Sequence, residues 1–326
     1  KNTVAVVTDG SAVLGLGNIG PLGALPVMEG KAMLFKKFAG IDAFPICLNT
    51  QDTEEIIKTV RNITPVFAGI NLEDISAPRC FEIEERLQDL GIPVFHDDQH
   101  GTAIVVLSGL INAAKVVGKN INDMKVVVSG AGAAGVATTK LLVNASKEGY
   151  PELQPKDVLV IDSRGIVEEG RDDLNDIKKA LVKITNKEKI KGSLADALVG
   201  VDVFIGVSKP NILTKEMIKT MKDDSIVFAM ANPNPEILPE LAKSAGVRVM
   251  ATGRSDFPNQ VNNALVFPGI FKGAIEARKK QITEKMKYLA AKAVAGLVEN
   301  PSEENIIPDI FDKRVTEEVS KAVSEN

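Results

Sequence analysis

Short apolar runs alternate with amphipathic stretches from one end of the chain to the other, the pattern of an α/β protein with mostly parallel strands. Strands are expected at residues 4–8, 43–48, 66–72 and 93–95. Between them the spacing predicts helices at 25–38, 53–62 and 78–90, with Thr53 as the N-cap of the second. Residues 102–117 are too continuously apolar for a surface element, and Ser108, Gly109, Ala113 and Ala114 give them the small side chains of a buried helix. After a polar linker at 119–123 a second series begins: strand 125–129, helix 133–147, then strands 158–162, 203–206, 226–230 and 247–251. The tail from Phe271 reads as two helices split near Asn300-Pro301. The expectation is a two-domain α/β protein. Residues 1–101 form the first domain, 102–275 a Rossmann-type doubly wound parallel sheet, and 276–326 a helical tail that packs back on the first domain.

A length of 326 residues suits two such domains better than one. With 44% hydrophobic and 25% charged residues the chain has material for a core, which excludes global disorder. A formal net charge of -4 argues against a general nucleic-acid binder, which needs a basic surface. No apolar run reaches the ~18–20 residues that a membrane-spanning helix requires. Cys47 and Cys80 cannot make a disulfide framework, and no secretory signal is visible, so a cytoplasmic location is expected. The chain starts at Lys1 and enters a strand almost at once, so a further N-terminal segment is expected to precede it.

A G-x-G-x-x-G pattern occurs twice, and context separates the two. Gly130-Ala-Gly132-Ala-Ala-Gly135 follows a strand directly and opens a helix. There Gly130, Gly132, Ala133, Ala134 and Gly135 allow close approach of a dinucleotide pyrophosphate to backbone N–H groups and the helix dipole. The next strand ends in Asp162, an acid placed to bond a ribose hydroxyl. It comes later than the usual ~20 residues, and the polar stretch 147–157 accounts for the delay as a long loop. Gly15-Leu-Gly17-Asn-Ile-Gly20 lies well past its strand, and the strand after it ends without an acid, so it reads as a flexible loop beside a pocket.

Glu73-Asp74 and Asp97-Asp98 each follow a strand at its C-terminal end, where open α/β sheets bind ligands. Two such pairs without a cysteine suggest a hard divalent ion, Mg²⁺ or Mn²⁺. Taken singly, each pair reads better as the start of a loop or a helix cap, and it is the presence of two pairs at equivalent strand ends that favours metal. The two histidines, His96 and His100, bracket the second pair at i and i+4, which keeps a zinc hydrolase open as a competing reading. Asn232 precedes a proline at another strand end, and Asn259-Gln-Val-Asn-Asn263 is a polar run beside an apolar one. Both runs offer amides for a ligand or shape a turn. Lys31, in an otherwise apolar helix, either snorkels or is a buried general base.

The segments Val-Thr-Asp9-Gly, Leu-Gly-Leu-Gly-Asn-Ile-Gly20-Pro, Pro26-Val-Met-Glu-Gly-Lys31, Asn71-Leu-Glu-Asp-Ile-Ser, Phe95-His-Asp-Asp-Gln-His-Gly-Thr, the second glycine fingerprint and Ala231-Asn-Pro together resemble the malic enzymes in their short prokaryotic form. The resemblance implies oxidation of L-malate by NAD⁺ or NADP⁺ with release of CO₂ and pyruvate, a need for Mn²⁺ or Mg²⁺, and a homodimer. It assigns the metal ligands to Glu73, Asp74 and Asp98 and the general base to Lys31, supported by Asp97. Asn232 takes substrate and cofactor contacts, and Asn263 substrate contacts. NAD is the expected cofactor, because Asp162 would repel a 2′-phosphate, while Arg164 nearby leaves NADP open. Two features depart from the family pattern. No tyrosine stands in the family's general-acid motif, since Tyr150 and Tyr288 lie elsewhere, and Ala12 occupies the loop where many members carry a malate-binding arginine. A malolactic enzyme, which releases lactate, shares these motifs; a dinucleotide-binding protein without catalytic activity is the remaining alternative.

Overall fold

The computed structural model describes residues 1–326, and they fall into two compact units. The first comprises Lys1–Gly101, Asn263–Val294 and Ile310–Asn326; the second comprises Thr102–Asn262 and Ala295–Asp309. Residues 263–275, grouped above with the dinucleotide domain, therefore pack in the first unit, and the tail is shared between the two. No helix is long and apolar enough to cross a membrane.

The first unit is built on four parallel strands, β1 (Thr3–Thr8), β2 (Asp42–Cys47), β3 (Gly69–Leu72) and β4 (Val94–His96), in the order β2-β1-β3-β4. Chain order reverses at β1, so the loops after β1 and β3 open side by side at the C-terminal edge. α1 (Gly20–Leu34) starts earlier than the periodicity suggests, because Pro21 suits a first turn, and closes in a π-helical turn at Phe35–Ala39. α2 (Thr53–Ile63) is capped by Asp52, whose carboxylate accepts from Glu55 N–H at 2.9 Å; the expected cap, Thr53, is the first helical residue. α3 (Arg79–Leu87) follows. α4 (Asp97–Val116) begins directly after β4, not at residue 102, so Asp97-Asp98-Gln-His100 is its first turn and not a loop. The chain passes into the second unit within this helix, after Gly101.

In the second unit β5 (Lys125–Ser129), β6 (Asp157–Asp162), β8 (Val203–Gly206), β9 (Ile226–Ala229) and β10 (Val249–Thr252) are parallel. The short β7 (Gly165–Ile166) adds antiparallel at the edge, giving the order β10-β9-β8-β5-β6-β7. This is the doubly wound Rossmann-type sheet expected from the sequence. α5 (Ala133–Val143) packs on it, with four short helices that the hydrophobic pattern missed: α6 (Asp176–Val182), α7 (Leu194–Leu198), α8 (Lys215–Ile218) and α9 (Pro239–Ser244). Each is too brief to display a helical period. Val127, Leu159, Phe204, Ile218, Val227 and Met250 form part of one buried core.

Three helices, not two, make the C-terminal part: α10 (Phe267–Glu276), α11 (Glu284–Gly296) and α12 (Lys313–Ser324). Phe267 and Phe271 on α10 pack against Phe35 with ring centroids 4.8 and 5.3 Å away. α12 lies close on α10 because Gly269 and Gly273 leave room. A Cβ on Gly273 would stand 2.3 Å from the Ser320 carbonyl oxygen. Backbone in a helix core yields little, so Gly273→Ala is expected to destabilise the chain by about 1–3 kcal/mol, read as a lower midpoint in urea; an unchanged midpoint would contradict this packing.

Candidate active site

The first unit gathers Lys31, Glu73, Asp74, Asp97 and Asp98 at the C-terminal edge of its sheet. Lys31 projects from α1, and its Nζ donates to Asp97 Oδ2 and lies 3.0 Å from Glu73 Oε1. The face of the Phe267 ring is 4.6 Å from the same nitrogen. Glu73 follows β3 directly, and Asn71 Nδ2 holds its other oxygen at 2.9 Å. Asp74 adopts a left-handed conformation with φ 54, costly for a non-glycine residue. This turns the chain so that consecutive acids converge instead of pointing to opposite faces. Asp74 N–H donates to Asp98 Oδ2 at 2.7 Å, which ties the end of β3 to the first turn of α4.

Glu73, Asp74 and Asp98 each offer a carboxylate oxygen, and these three oxygens lie within 4.8 Å of one another. Asp74 Oδ2 is buried without a hydrogen-bond partner. Three convergent carboxyl groups, one with an orphaned oxygen, fit a hard divalent cation and give a soft metal no thiolate. Burial, helped by repulsion within the cluster and opposed by Lys31, pushes the carboxyls up: Asp74 to about 9, Glu73 to about 7 and Asp98 to about 6. Asp97, raised to about 7 by burial, is drawn back most by Lys31. For Lys31, burial alone would lower the pKa, but Asp97, Glu73 and Asp98 outweigh it and hold the ammonium above its ordinary range.

Residues that the sequence analysis passed over set this geometry. Gly101 is required because a Cβ there would fall 1.8 Å from Asp97 Oδ1, and Asn263 lies against the same glycine. Glu84, on α3, acts as a cap for α4 from another helix: it accepts the His96 N–H at 3.1 Å, Gln99 Nε2 at 3.1 Å and His100 Nε2 at 2.9 Å. Burial would raise the Glu84 carboxyl, but His100, Lys287 and His96 outweigh it and bring it down to about 2. His100 Nδ1 lies 2.9 Å from the Lys287 ammonium on α11, so both its ring nitrogens are engaged and neither is left for zinc. His96 is fully buried with neither ring nitrogen hydrogen-bonded. Burial, its largest influence, lowers its pKa to about 4. Where Ala12 replaces the loop arginine, a guanidinium arrives from α3: Arg79 Nη2 donates to Ser11 and Ser76 at 3.0 Å, and Nη1 pairs with Asp9 at 2.9 Å.

The second unit holds a cleft of about 780 Å³ lined by Gly130, Gly132, Asp162, Arg164, Lys178 and Ser208, among others. Gly130 has φ 124, and a Cβ on Gly135 would meet the Gly130 carbonyl oxygen at 1.7 Å, so neither position takes a side chain. Gly132 caps α5 without a side-chain hydrogen bond, and a Cβ there would meet nothing within 4 Å. Free N–H groups of a first turn facing open space fit a pyrophosphate. Asn232, in the loop after β9, lies against Gly253, where a Cβ would stand 3.0 Å from its Nδ2.

Asp162 at the end of β6 is not the free acceptor that its position suggests. Arg171 Nη1 and Arg164 N–H donate to Oδ1 at 2.8 and 2.9 Å, while Arg171 Nη2 and Lys178 Nζ donate to Oδ2 at 2.8 and 2.6 Å. Four donors use the four lone-pair sites of a carboxylate. Burial would raise its pKa, but these donors bring it down to about 2.

A doubly wound sheet with this glycine turn defines a Rossmann-type dinucleotide-binding protein, joined here to a unit carrying a lysine–carboxylate cluster. Comparison with known proteins identifies the group. The family profile "Malic enzyme, NAD binding domain" matches residues 99–326, and "Malic enzyme, N-terminal domain" matches residues 1–88. The chain belongs to the malic enzyme family. It is 58% identical over its whole length to an NAD-dependent malic enzyme of Geobacillus stearothermophilus, of which it covers 67%. It is 57% identical to a bifunctional malic/malolactic enzyme of Bacillus subtilis, over 99% of this chain and 78% of that protein. The crystal structure of the NAD-dependent malic enzyme from Thermotoga maritima superimposes with a TM-score of 0.94 at 54% identity, covering 99% of this chain and 84% of that one.

The raised carboxyls set a sign for the dependence of stability on pH. In the absence of a divalent cation, the folded chain holds protons on Glu73, Asp74, Asp97 and Asp98 that the unfolded chain releases near pH ~4. Folding therefore loses stability as pH rises from there toward about 9. The metal-free protein is expected to unfold at lower urea at about pH 8 than at about pH 5, and Asp74→Asn to flatten that difference; a midpoint that rises over this interval would contradict the reading.

Proposed function

We propose that the chain catalyses the divalent-metal-dependent oxidative decarboxylation of L-malate to pyruvate and CO₂ with reduction of NAD(P)⁺. The observation that carries this reading is Lys31 held between Asp97 and Glu73, beside the three converging oxygens of Glu73, Asp74 and Asp98. Lys31 in its neutral form takes the proton from the C2 hydroxyl of malate as hydride leaves C2. Asp97 orients the amine and balances the ammonium that forms. Glu73, Asp74 and Asp98 would hold Mn²⁺ or Mg²⁺; what the ion supplies when bound is polarisation of the C2 oxygen and positive charge that favours neutral Lys31. Asn232 and Asn263 offer amides to substrate, and Asn232 also to the cofactor.

NAD(P)⁺ supplies the hydride acceptor. Gly130, Gly132, Ala133, Ala134 and Gly135 admit its pyrophosphate to the start of α5. With Asp162 already matched by Arg171 and Lys178, the repulsion expected against a 2′-phosphate is largely cancelled, so NADP⁺ is admitted beside NAD⁺. A homodimer is part of the same reading. Leu14, Leu16, Leu22 and Met33 are apolar and 63–86% exposed on one loop and α1, a surface that a second copy would cover.

The test is absorbance of the reduced nicotinamide with L-malate, Mn²⁺ and either dinucleotide, with EDTA as the control. Metal-dependent reduction is expected. Lys31→Met is expected to lower kcat by about 10²–10⁴-fold while NADH binding, measured by fluorescence, stays as in the wild type. Activity retained by this variant would remove Lys31 from the chemistry. The similarity to a bifunctional malic/malolactic enzyme supports a second reading, and lactate formed without net NADH would select it. A chain that binds dinucleotide but makes neither product would be a binding protein only.

A further inference from the structure

Glu236 stands at the end of the Ala231-Asn-Pro-Asn-Pro loop after β9 and is completely buried. No lysine, arginine or histidine offsets its charge: burial pushes the carboxyl above its ordinary range, and only the backbone N–H groups of Ala231, Ser208 and Glu236 itself draw it back. Its Oε1 accepts the Ser208 N–H at 3.1 Å and its Oε2 the Ala231 N–H at 3.0 Å. Two oxygens that both accept from amides suit the ionised form; a carboxylic acid would need an acceptor for its hydrogen. Gly206, the last residue of β8, makes room for it: a Cβ there would stand 2.4 Å from the Glu236 carboxyl carbon. A buried carboxylate without a cation is costly, and such a group asks for a reason.

Its place in the fold supplies one. Ser208 lines the dinucleotide cleft, so the Glu236 charge sits one hydrogen bond behind the cleft wall. Asp162 marks the adenosine half at the end of β6. In a doubly wound sheet the dinucleotide crosses the switch point, which carries its nicotinamide half toward the ends of β8 and β9. There the ring is a cation in NAD(P)⁺ and neutral in NAD(P)H. We propose that Glu236 is a specificity-determining residue for redox state: its buried charge favours the oxidised dinucleotide over the reduced one. This rests on the reading of the second unit as an NAD(P) site. The tie between the loops after β8 and β9 is a second, positioning role of the same side chain.

The experiment compares Kd for NAD⁺ and NADH on the full chain, without malate or metal, by calorimetry and nicotinamide fluorescence. Glu236→Gln is expected to raise the ratio of the NAD⁺ Kd to the NADH Kd by about 3–10-fold, through loss of an attraction that low dielectric leaves unscreened. Glu236→Asp keeps the charge and is expected to keep the ratio, even where both affinities fall. A loosened loop alone would weaken both forms together, so an unchanged ratio in Glu236→Gln overturns the proposal. If that variant does not accumulate folded, Glu236→Met is read the same way. A wild-type chain that binds neither nucleotide overturns both this proposal and the dinucleotide reading. A ratio that shifts as stated supports it even if malate is not turned over, which separates the two.

Discussion

Four carboxyl groups and one ammonium crowd together in the first unit, Glu73, Asp74 and Asp97 buried and Lys31 and Asp98 half-buried, and most of the local structure there serves to keep them together. Lys31 alone does not balance Glu73, Asp74, Asp97 and Asp98, which is why burial and mutual repulsion push all four acids toward their neutral forms. Such a cluster is stable only if its parts have little freedom to separate. The left-handed turn at Asp74, the bond from its N–H to Asp98, the Asn71 amide on Glu73 and the space left by Gly101 each remove a way for it to relax. An electrostatic imbalance remains, and it is the physical basis for the divalent-cation site proposed above.

The same logic runs through the supports. α4 carries two of the acids in its first turn, and neither is left to cap it, because Glu84 reaches across from α3 to take the His96 N–H. Glu84 is itself balanced by His100 and Lys287, so one buried network holds the helix start while the other awaits a cation. The second unit inverts the arrangement. Its cleft offers open space at Gly132, and Asp162 at the end of β6 is matched by Arg171 and Lys178. One unit thus gathers excess negative charge, and the other leaves a helix start open.

Much of this was legible in the linear pattern. Strand ends carry ligand-binding residues in parallel α/β sheets, so Glu73-Asp74, Asp97-Asp98 and Asp162 stood out by position. Glycines that admit no Cβ, as at Gly130 and Gly135, stood out by spacing. What escaped was whatever depends on a distant partner. Nothing in the sequence says that the Asp97 carboxylate folds back over Gly101. Arg171 and Lys178 lie in a charged stretch among other basic residues, and only the fold selects them as partners of Asp162. Glu236 sat within a proline-rich turn and gave no hint of burial.

By itself the sequence determined the α/β class, the succession of the main strands along the chain, the dinucleotide fingerprint and which acids stand at the C-terminal ends of strands. These are set by local periodicity and by residue types within a few positions of one another. The tertiary structure alone decided that α4 begins at Asp97, that residues 263–275 pack in the first unit, and that Asp162 has no lone pair to spare. The physical reason is that burial and charge pairing are properties of space. A carboxylate's availability depends on which cations and amides the fold brings within about 3 Å of it, and separation along the chain does not encode that.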